Sequence, residues 1–170
     1  MSFNFSKSKF VSTFYTCNKY AWLDKNKPQE KTKPDEFTES LFDNGHIVGA
    51  LAKQRFNVEA DVSTQKEDGS QDNVAMLEKT KKHIAEGKKI IAEASFSYNG
   101  LFCSVDILKI NNDGSYTIYE VKSSKIKNKK ETGCIEIDTG RYTKEKYITD
   151  AAYQQYVIEN CGKKVKEVNV

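Results

Sequence analysis

Between residues 86 and 124 the periodicity of the chain changes from about 3.6 to 2, and that switch restricts the fold more than any other feature. Ile90, Ala92, Ala94, Phe96 and Tyr98 alternate as a half-buried strand does. Asn99-Gly100 follows, the strongest short signal for a tight hairpin turn. Leu101 to Ile110 is expected as a second strand, Asn112-Asp113-Gly114 as a second turn, and Ser115 to Ser123 as a third strand. A three-residue loop with Gly114 in the left-handed conformation pairs Asn111 with Ser115. Carried back along both strands, that register sets Asp106 opposite Glu120.

Helical patterns surround this meander. Ser8 is expected to cap a helix from about Lys9 to Leu23, with Phe10, Phe14, Cys17 and Ala21 as its stripe. The Lys-rich stretch 26–34 holds both prolines and reads as a loop. A second helix is expected from Pro34-Asp35 towards Phe56, with Leu41, Val48, Leu51, Ala52 and Phe56 as its apolar face. Gly45 and Gly49 inside it cost about 1 kcal/mol each relative to Ala and suggest a break near Asn44 or a close backbone approach. After a polar loop over 63–73, Asp72 or Asn73 caps a helix to about Glu86, with Val74, Leu77 and Ile84 inward and Gly87 as its stop. Residues 124–146 form a Lys-rich connection with a short strand at Cys134–Ile137. Tyr147 to Asn160 reads as a helix, and Val165 to Val170 as a strand. With no internal repeat, the chain is expected to be one mixed α/β (α+β) domain spanning 1–170.

Three charged residues interrupt the meander. Asp106 lies within FCSVDILKI, and Glu120 and Lys122 lie within YTIYEVKSS. A carboxylate in an apolar strand is costly unless it is paired or metal-bound. Glu120 and Lys122 are two apart and so share a face. Two carboxylates and a lysine on one face form the set needed to cleave a phosphodiester with a hard cation, Mg²⁺ or Mn²⁺. The carboxylates hold the ion, and the ammonium stabilises developing charge. The alternative is a Glu–Lys pair on an exposed sheet face, with Asp106 at an edge.

Composition narrows the classes. A chain of 170 residues with nine Phe, nine Tyr and one Trp can bury a core and is not disordered. It has neither a membrane-length apolar run nor a signal-peptide stretch, so a soluble, cytoplasmic protein with no membrane partner is expected. The net charge of +3 hides a basic segment over 1–33 and an acidic one over 34–78. Basic stretches can follow phosphate backbones, although Lys greatly outnumbers Arg, which fits codon bias as well. Cys17, Cys103, Cys134 and Cys161 are far apart with no CxxC pair, so an iron–sulfur or zinc site within the chain is not expected.

The Asp-x13-Glu-x-Lys pattern on a meander, with helices before and after, resembles the PD-(D/E)XK nuclease superfamily. It is most similar to the RecB-like branch, which includes CRISPR-adaptation exonucleases and a related uncharacterised bacterial family. SKSKFVSTFYTCNKYAWL, NGHIVGALAKQRF, AEASFSYNGLFCSVDILKI, YTIYEVKSS and DAAYQQYVIE carry the likeness over most of the chain. It implies a restriction-endonuclease-like αβββαβ core, with a mixed central sheet, flanking helices and extra N-terminal helices. It implies Asp106 and Glu120 as metal ligands, the Val121 carbonyl as a further ligand and Lys122 as the catalytic lysine. Gln154 aligns with the motif glutamine. Glu93, thirteen residues before Asp106, is a further acid in or near the metal site, or else an ordinary surface Glu. The branch has a histidine four residues after a glycine, where this chain has Gly49 after Gly45, so His46 is a doubtful ligand. The place four residues after Gln154 is Ile158 rather than Tyr, and Tyr156 is the nearby candidate for substrate contact. Lys125 and Lys127, with Lys129 and Lys130, are expected at the cleft rim against DNA phosphates. Cys17 matches the first cysteine of iron–sulfur members. Their other three lie beyond this chain's end, so Cys17 is expected as a buried core residue, and the chain as either a fragment or a short member. The competing readings are a metal-dependent DNA nuclease, a nucleic-acid-binding module that kept the fold without cleavage, and an interaction domain whose carboxylates form ion pairs.

Overall fold

The computed structural model of the chain describes residues 5–123, 126–128, 135–137 and 141–170, and the side chains of 5–123 and 144–170. In chain order the elements begin with β1 (Phe5–Ser6), α1 (Lys7–Tyr15), α2 (Asn18–Asn26), a 3-10 turn (Pro28–Glu30), α3 (Glu36–Arg55) and β2 (Ala60–Asp61). They continue with α4 (Asn73–Ala85), β3 (Ile90–Tyr98), β4 (Leu101–Ile110), β5 (Tyr116–Tyr119), β6 (Ile126–Asn128), β7 (Ile135–Ile137), α5 (Arg141–Asn160) and β8 (Val165–Asn169).

The expected meander is the centre of the main sheet, ordered β2-β3-β4-β5-β8. β3, β4 and β5 are antiparallel, while β2 runs parallel to β3 and β8 parallel to β5. Asn99 and Gly100 both take positive φ, 47° and 78°, as a tight hairpin turn with right-handed twist requires. At the second turn Gly114 has φ 78°, and the Asn111 N–H donates to the Ser115 carbonyl at 2.8 Å. The pairs Ile110↔Tyr116 through Ile107↔Tyr119 continue that register. One residue further, it sets Asp106 opposite Glu120, as the turn dictates. β6 and β7 pair with each other as a separate ribbon.

The core lies on the sheet face covered by α4 and α5. Ile91, Ala94, Val105, Leu108 and Ile118 from the strands meet Met76 of α4 and Tyr153, Val157 and Ile158 of α5. α1 packs on α5 through Phe10 and Tyr153, whose ring centroids are 5.0 Å apart, and through the Tyr15 and Thr149 hydroxyls, 2.7 Å apart. Among the described residues no helix is long and apolar enough to cross a membrane.

Several expected details are corrected. The first helix is two helices, because Ser6 rather than Ser8 caps α1 by accepting the Lys9 N–H, and Cys17 adopts extended backbone before α2. Cys17 is consequently exposed at a helix start, not buried in a core. α3 runs unbroken through Gly45 and Gly49, where a Cβ would meet nothing within 4 Å among the described residues, so no close backbone approach among them explains either glycine. Its expected apolar face is covered only in part: Val48, Ala52 and Phe56 are half-buried, with the Phe56 ring centroid 4.5 Å from that of Tyr119, while Leu41 and Leu51 are exposed. Of the expected inward residues of α4, Ile84 packs on the core and Leu77 is half-buried, but Val74 is exposed and the fully buried positions are Met76 and Thr80, because Thr80 bridges helix and sheet. Its hydroxyl donates to the Met76 carbonyl and accepts the Ser95 N–H. The third strand stops at Tyr119 rather than Ser123, and α5 begins at Arg141, a turn and a half before Tyr147.

Candidate functional site

The site forms because β4 shares one edge between two short strands. β3 pairs along almost all of β4 on one side. On the other side β1 takes only Leu101 and Phe102, and β5 takes only Ile107 to Ile110. Residues 103–106 of that edge are left open. β1 runs parallel to β4 and β5 antiparallel to it, so the two strands point into the opening from opposite ends. Lys7 is the first residue past β1, and Glu120 is the first past β5. They meet there, with Lys7 Nζ 2.9 Å from both Oε1 and Oε2 of Glu120.

Glu120 is buried, and each of its oxygens is doubly occupied. Lys122 Nζ donates to Oε1 at 2.6 Å, and Gln154 Nε2 donates to Oε2 at 2.7 Å. A carboxylate offers about four lone-pair positions, so the two lysines and the glutamine fill it. Asp150 is the second anchor. It accepts Lys122 at 2.8 Å, lies 3.3 Å from Lys7 Nζ, and takes a long contact of 3.5 Å from Gln154. Asp150 and Gln154 are one helical turn apart and present one face of α5 to the opening. Lys122 also lies over the Tyr147 ring, 5.3 Å from its centroid.

Asp106 is held differently. Its Oδ2 accepts the Val121 N–H at 2.7 Å, a donor freed because β5 has already left the ladder. The Val121 amide thus touches Asp106, and Val121 lines the cleft beside it. Burial and the Glu120 charge push the Asp106 carboxyl up to about 6, against the opposing pull of Lys7. For Glu120, burial would raise the carboxyl too, but Lys7 and Lys122 prevail and hold it at about 2. Burial opposes the charge on Lys122, yet Glu120 and Asp150 raise its ammonium above the usual lysine value. Two carboxyls in register therefore have opposite environments, one rich in cations and one short of them.

Glu93 lies next in the row. The pairs Ala92↔Ile107 and Ala94↔Val105 flank it, which sets it opposite Asp106, although it leaves regular pairing with φ 55°. Its carbonyl accepts the Ser95 and Ser104 hydroxyls, and its Oε2 accepts Ser104 Oγ at 2.9 Å. Lys53 of α3 is 3.9 Å from its Oε1. Glu93 and Asp106 line a cleft of 330 Å³ with Gly45, His46, Gly49, Lys53 and Val121. The two acids also line a cavity of 240 Å³ with Ser6, Lys7, Ser8, Gln71 and Ser104.

The structure therefore gathers Asp106, Glu120, Lys122, Gln154 and Glu93 around one opening in the sheet, with His46 on the cleft wall. Tyr156 is not brought there. Its exposed ring stacks edge-on against Tyr98, at the far end of the hairpin. Lys125, Lys129 and Lys130 lie outside the described residues, as does the side chain of Lys127. Lys7 and Asp150 were missed by sequence reasoning. For Asp150 a signal existed, an acid one turn before Gln154. Lys7 arrives from 113 residues away and left none.

The donors fit a hard cation in kind, being carboxylate oxygens on adjacent strands. The raised Asp106 carboxyl fits as well, since it is a buried group short of positive charge. Glu120 fits only when one of its ammonium partners leaves. Among the described residues no group of three His, Cys, Asp or Glu side chains converges as a ligand set. No protein-family model, curated protein or solved structure matches this chain.

Proposed function

We propose that the chain is a divalent-metal-dependent nuclease that hydrolyses DNA phosphodiester bonds. One observation carries the reading: β4 and β5 pair as far as Ile107↔Tyr119, which brings the neighbouring Asp106 and Glu120 together at an opening in the sheet edge, with Lys122 two residues on and bound to Glu120. Asp106 and Glu120 would hold Mg²⁺ or Mn²⁺, with Glu93 beside them. The bound cation supplies Lewis acidity towards a phosphate oxygen and lowers the pKa of water.

The chain's own groups have separable tasks. The Val121 N–H fixes one oxygen of Asp106 and leaves the other for a ligand. Gln154 Nε2 fixes Glu120 from the α5 side. Lys122, charged and anchored on Glu120 and Asp150, presents a preorganised positive charge to a phosphate that gains negative charge during the reaction. Lys53 adds positive charge on the cleft wall.

A second reading is supported by the filling of Glu120. Two ammonium groups and an amide neutralise it without a metal, as in a nucleic-acid-binding module that retains the fold but does not cleave. Manganese titration beside a plasmid-nicking assay separates the two. The nuclease reading expects specific Mn²⁺ binding and nicking that EDTA abolishes. Binding of DNA with neither metal binding nor nicking selects the module.

A further inference from the structure

Lys7 occupies the position a cation would take. Its ammonium touches both oxygens of Glu120 and lies 3.3 Å from Asp150, and its charge also acts on Asp106. Lys122, by contrast, is shared between Glu120 and Asp150 alone. Glu120, Asp150 and Asp106 therefore surround two ammonium groups, and Glu93 beside them is offset by Lys53 at 3.9 Å, which leaves one net negative charge in a poorly solvated opening. A dication added beside both lysines would leave one net positive charge. A dication exchanged for Lys7 leaves the group neutral. In a low-dielectric pocket an unbalanced charge is heavily penalised, so exchange is favoured over addition.

The same exchange frees the lone pairs needed for coordination. Glu120 has none left while Lys7 is in place, and the departure of Lys7 opens one on each oxygen. Only the side chain need move. α1 stays docked through Phe10 on Tyr153 and Tyr15 on Thr149, and β1 stays tied by the Tyr153 hydroxyl on the Phe5 carbonyl at 3.0 Å. The Lys7 side chain is already 14% exposed, so rotation about its own bonds can carry the ammonium away from the acids and out to solvent. Lysine, a point charge on a flexible four-carbon stem, suits such a displaceable occupant.

We propose that Lys7 is an intramolecular counter-ion that a divalent cation must expel, so that occupancy of Glu120 by Lys7 and by metal are mutually exclusive. The inference rests on the metal-dependent reading of the site and adds a control to it. Two measurements on the full chain test it. The first is acylation of lysines at pH 8, read by mass spectrometry with and without saturating Mg²⁺ and normalised to the exposed Lys89. Lys7 should label at least tenfold faster with Mg²⁺, because its ammonium leaves the carboxylates. The second is Mn²⁺ calorimetry on wild type and Lys7→Met, which keeps the stem and removes the charge. The variant should bind at least tenfold more tightly. If wild type binds Mn²⁺ while Lys7 labelling stays constant and Lys7→Met binds no more tightly, the counter-ion role is overturned and the metal reading stands. If neither protein binds Mn²⁺, both fall. Should Lys7→Met fail to fold, wild-type labelling decides alone.

Discussion

Replacing Asp106 with Asn should stabilise the protein at neutral pH, because the ionised carboxylate is the most poorly compensated charge in the opening. Asn keeps the shape and still accepts the Val121 N–H, so the substitution removes charge and little else. The Asp106 carboxyl sits at about 6 in the fold against an ordinary 3.8. A folded pKa above the unfolded one means that the native state prefers the protonated form. The native state therefore bears a cost wherever the group is ionised, and that cost is relieved as pH falls through 6. A difference of roughly two units is worth about 3 kcal/mol at pH 8 as an upper bound. As pH falls from about 6 towards 3.8 the gap narrows, and below about pH 3 both folded and unfolded chains are protonated and the advantage of Asn disappears.

Urea denaturation of wild type and Asp106→Asn at pH 8, 6 and 4 measures this directly. The variant should be more stable by about 1–3 kcal/mol at pH 8, by slightly less at pH 6, and by no more than about 0.5 kcal/mol at pH 4. Saturating Mn²⁺ at pH 8 should close or reverse the gap, since only wild type offers the ion a charged oxygen on β4. A variant less stable than wild type at pH 8, or a gap that does not change with pH, would refute the reasoning.

Three further outcomes are expected. Lys122→Ala should lower plasmid nicking about 10²–10³-fold while retaining Mn²⁺ binding by calorimetry, because an ammonium is not a ligand for a hard cation. Gly114→Ala should lose about 1 kcal/mol in chemical denaturation. A Cβ there meets nothing within 4 Å, so the cost comes from φ 78° and not from a clash. Replacing Lys125, Lys127, Lys129 and Lys130 together by Ala should reduce the slope of log affinity for DNA against log salt by up to about 3.6, and an unchanged slope would assign these lysines to solvent.

The parts of the site that were legible in the sequence are those fixed by short-range chemistry. Five residues from Asn111 to Ser115 set a turn, the turn sets a register, and the register sets Asp106 opposite Glu120 without reference to the rest of the chain. Lys7 is the opposite case. Its role depends on where a two-residue strand docks on β4, and two residues carry no periodicity to read. β2 was missed for the same reason. Asp150 lay within reach, since an acid and an amide one turn apart on a helix form a recognisable pair, but only Gln154 stood out by resemblance. The apolar residues of α3 misled because a helical stripe shows that a helix has an apolar face and does not show that the face is covered. Leu41 and Leu51 remain exposed. Cys17 misled because it alone turns to extended backbone, with no glycine or proline to announce it.

The distribution of unfavourable features argues that this opening is more than an ion-paired seam. Asp106 is buried with its carboxyl raised to about 6. Glu93 adopts φ 55° within a strand, whereas the other non-glycine residues at positive φ among the described residues are Asn57 and Asn99, a type that tolerates it. Gln154 is fully buried, and its Oε1 has no hydrogen-bond partner among the described residues. Each feature costs on the order of 1–3 kcal/mol. Each could be relieved by a single change, Asp106→Asn, Glu93→Gly or Gln154→Leu, without altering the meander or its turns. Two of the three residues line the same cleft, and the third binds Glu120 across from it. A seam that served only to join β1, β5 and α5 would gain stability from the first two, while Gln154→Leu would set relief of the unpartnered Oε1 against loss of the Nε2 bond to Glu120. A site that must present oxygen ligands and a charged lysine to an anionic substrate would lose its chemistry with them. Costs held together in one place, while the surrounding core of Ile91, Val105, Leu108 and Ile118 is apolar and tightly buried, are the pattern expected when function sets the local sequence.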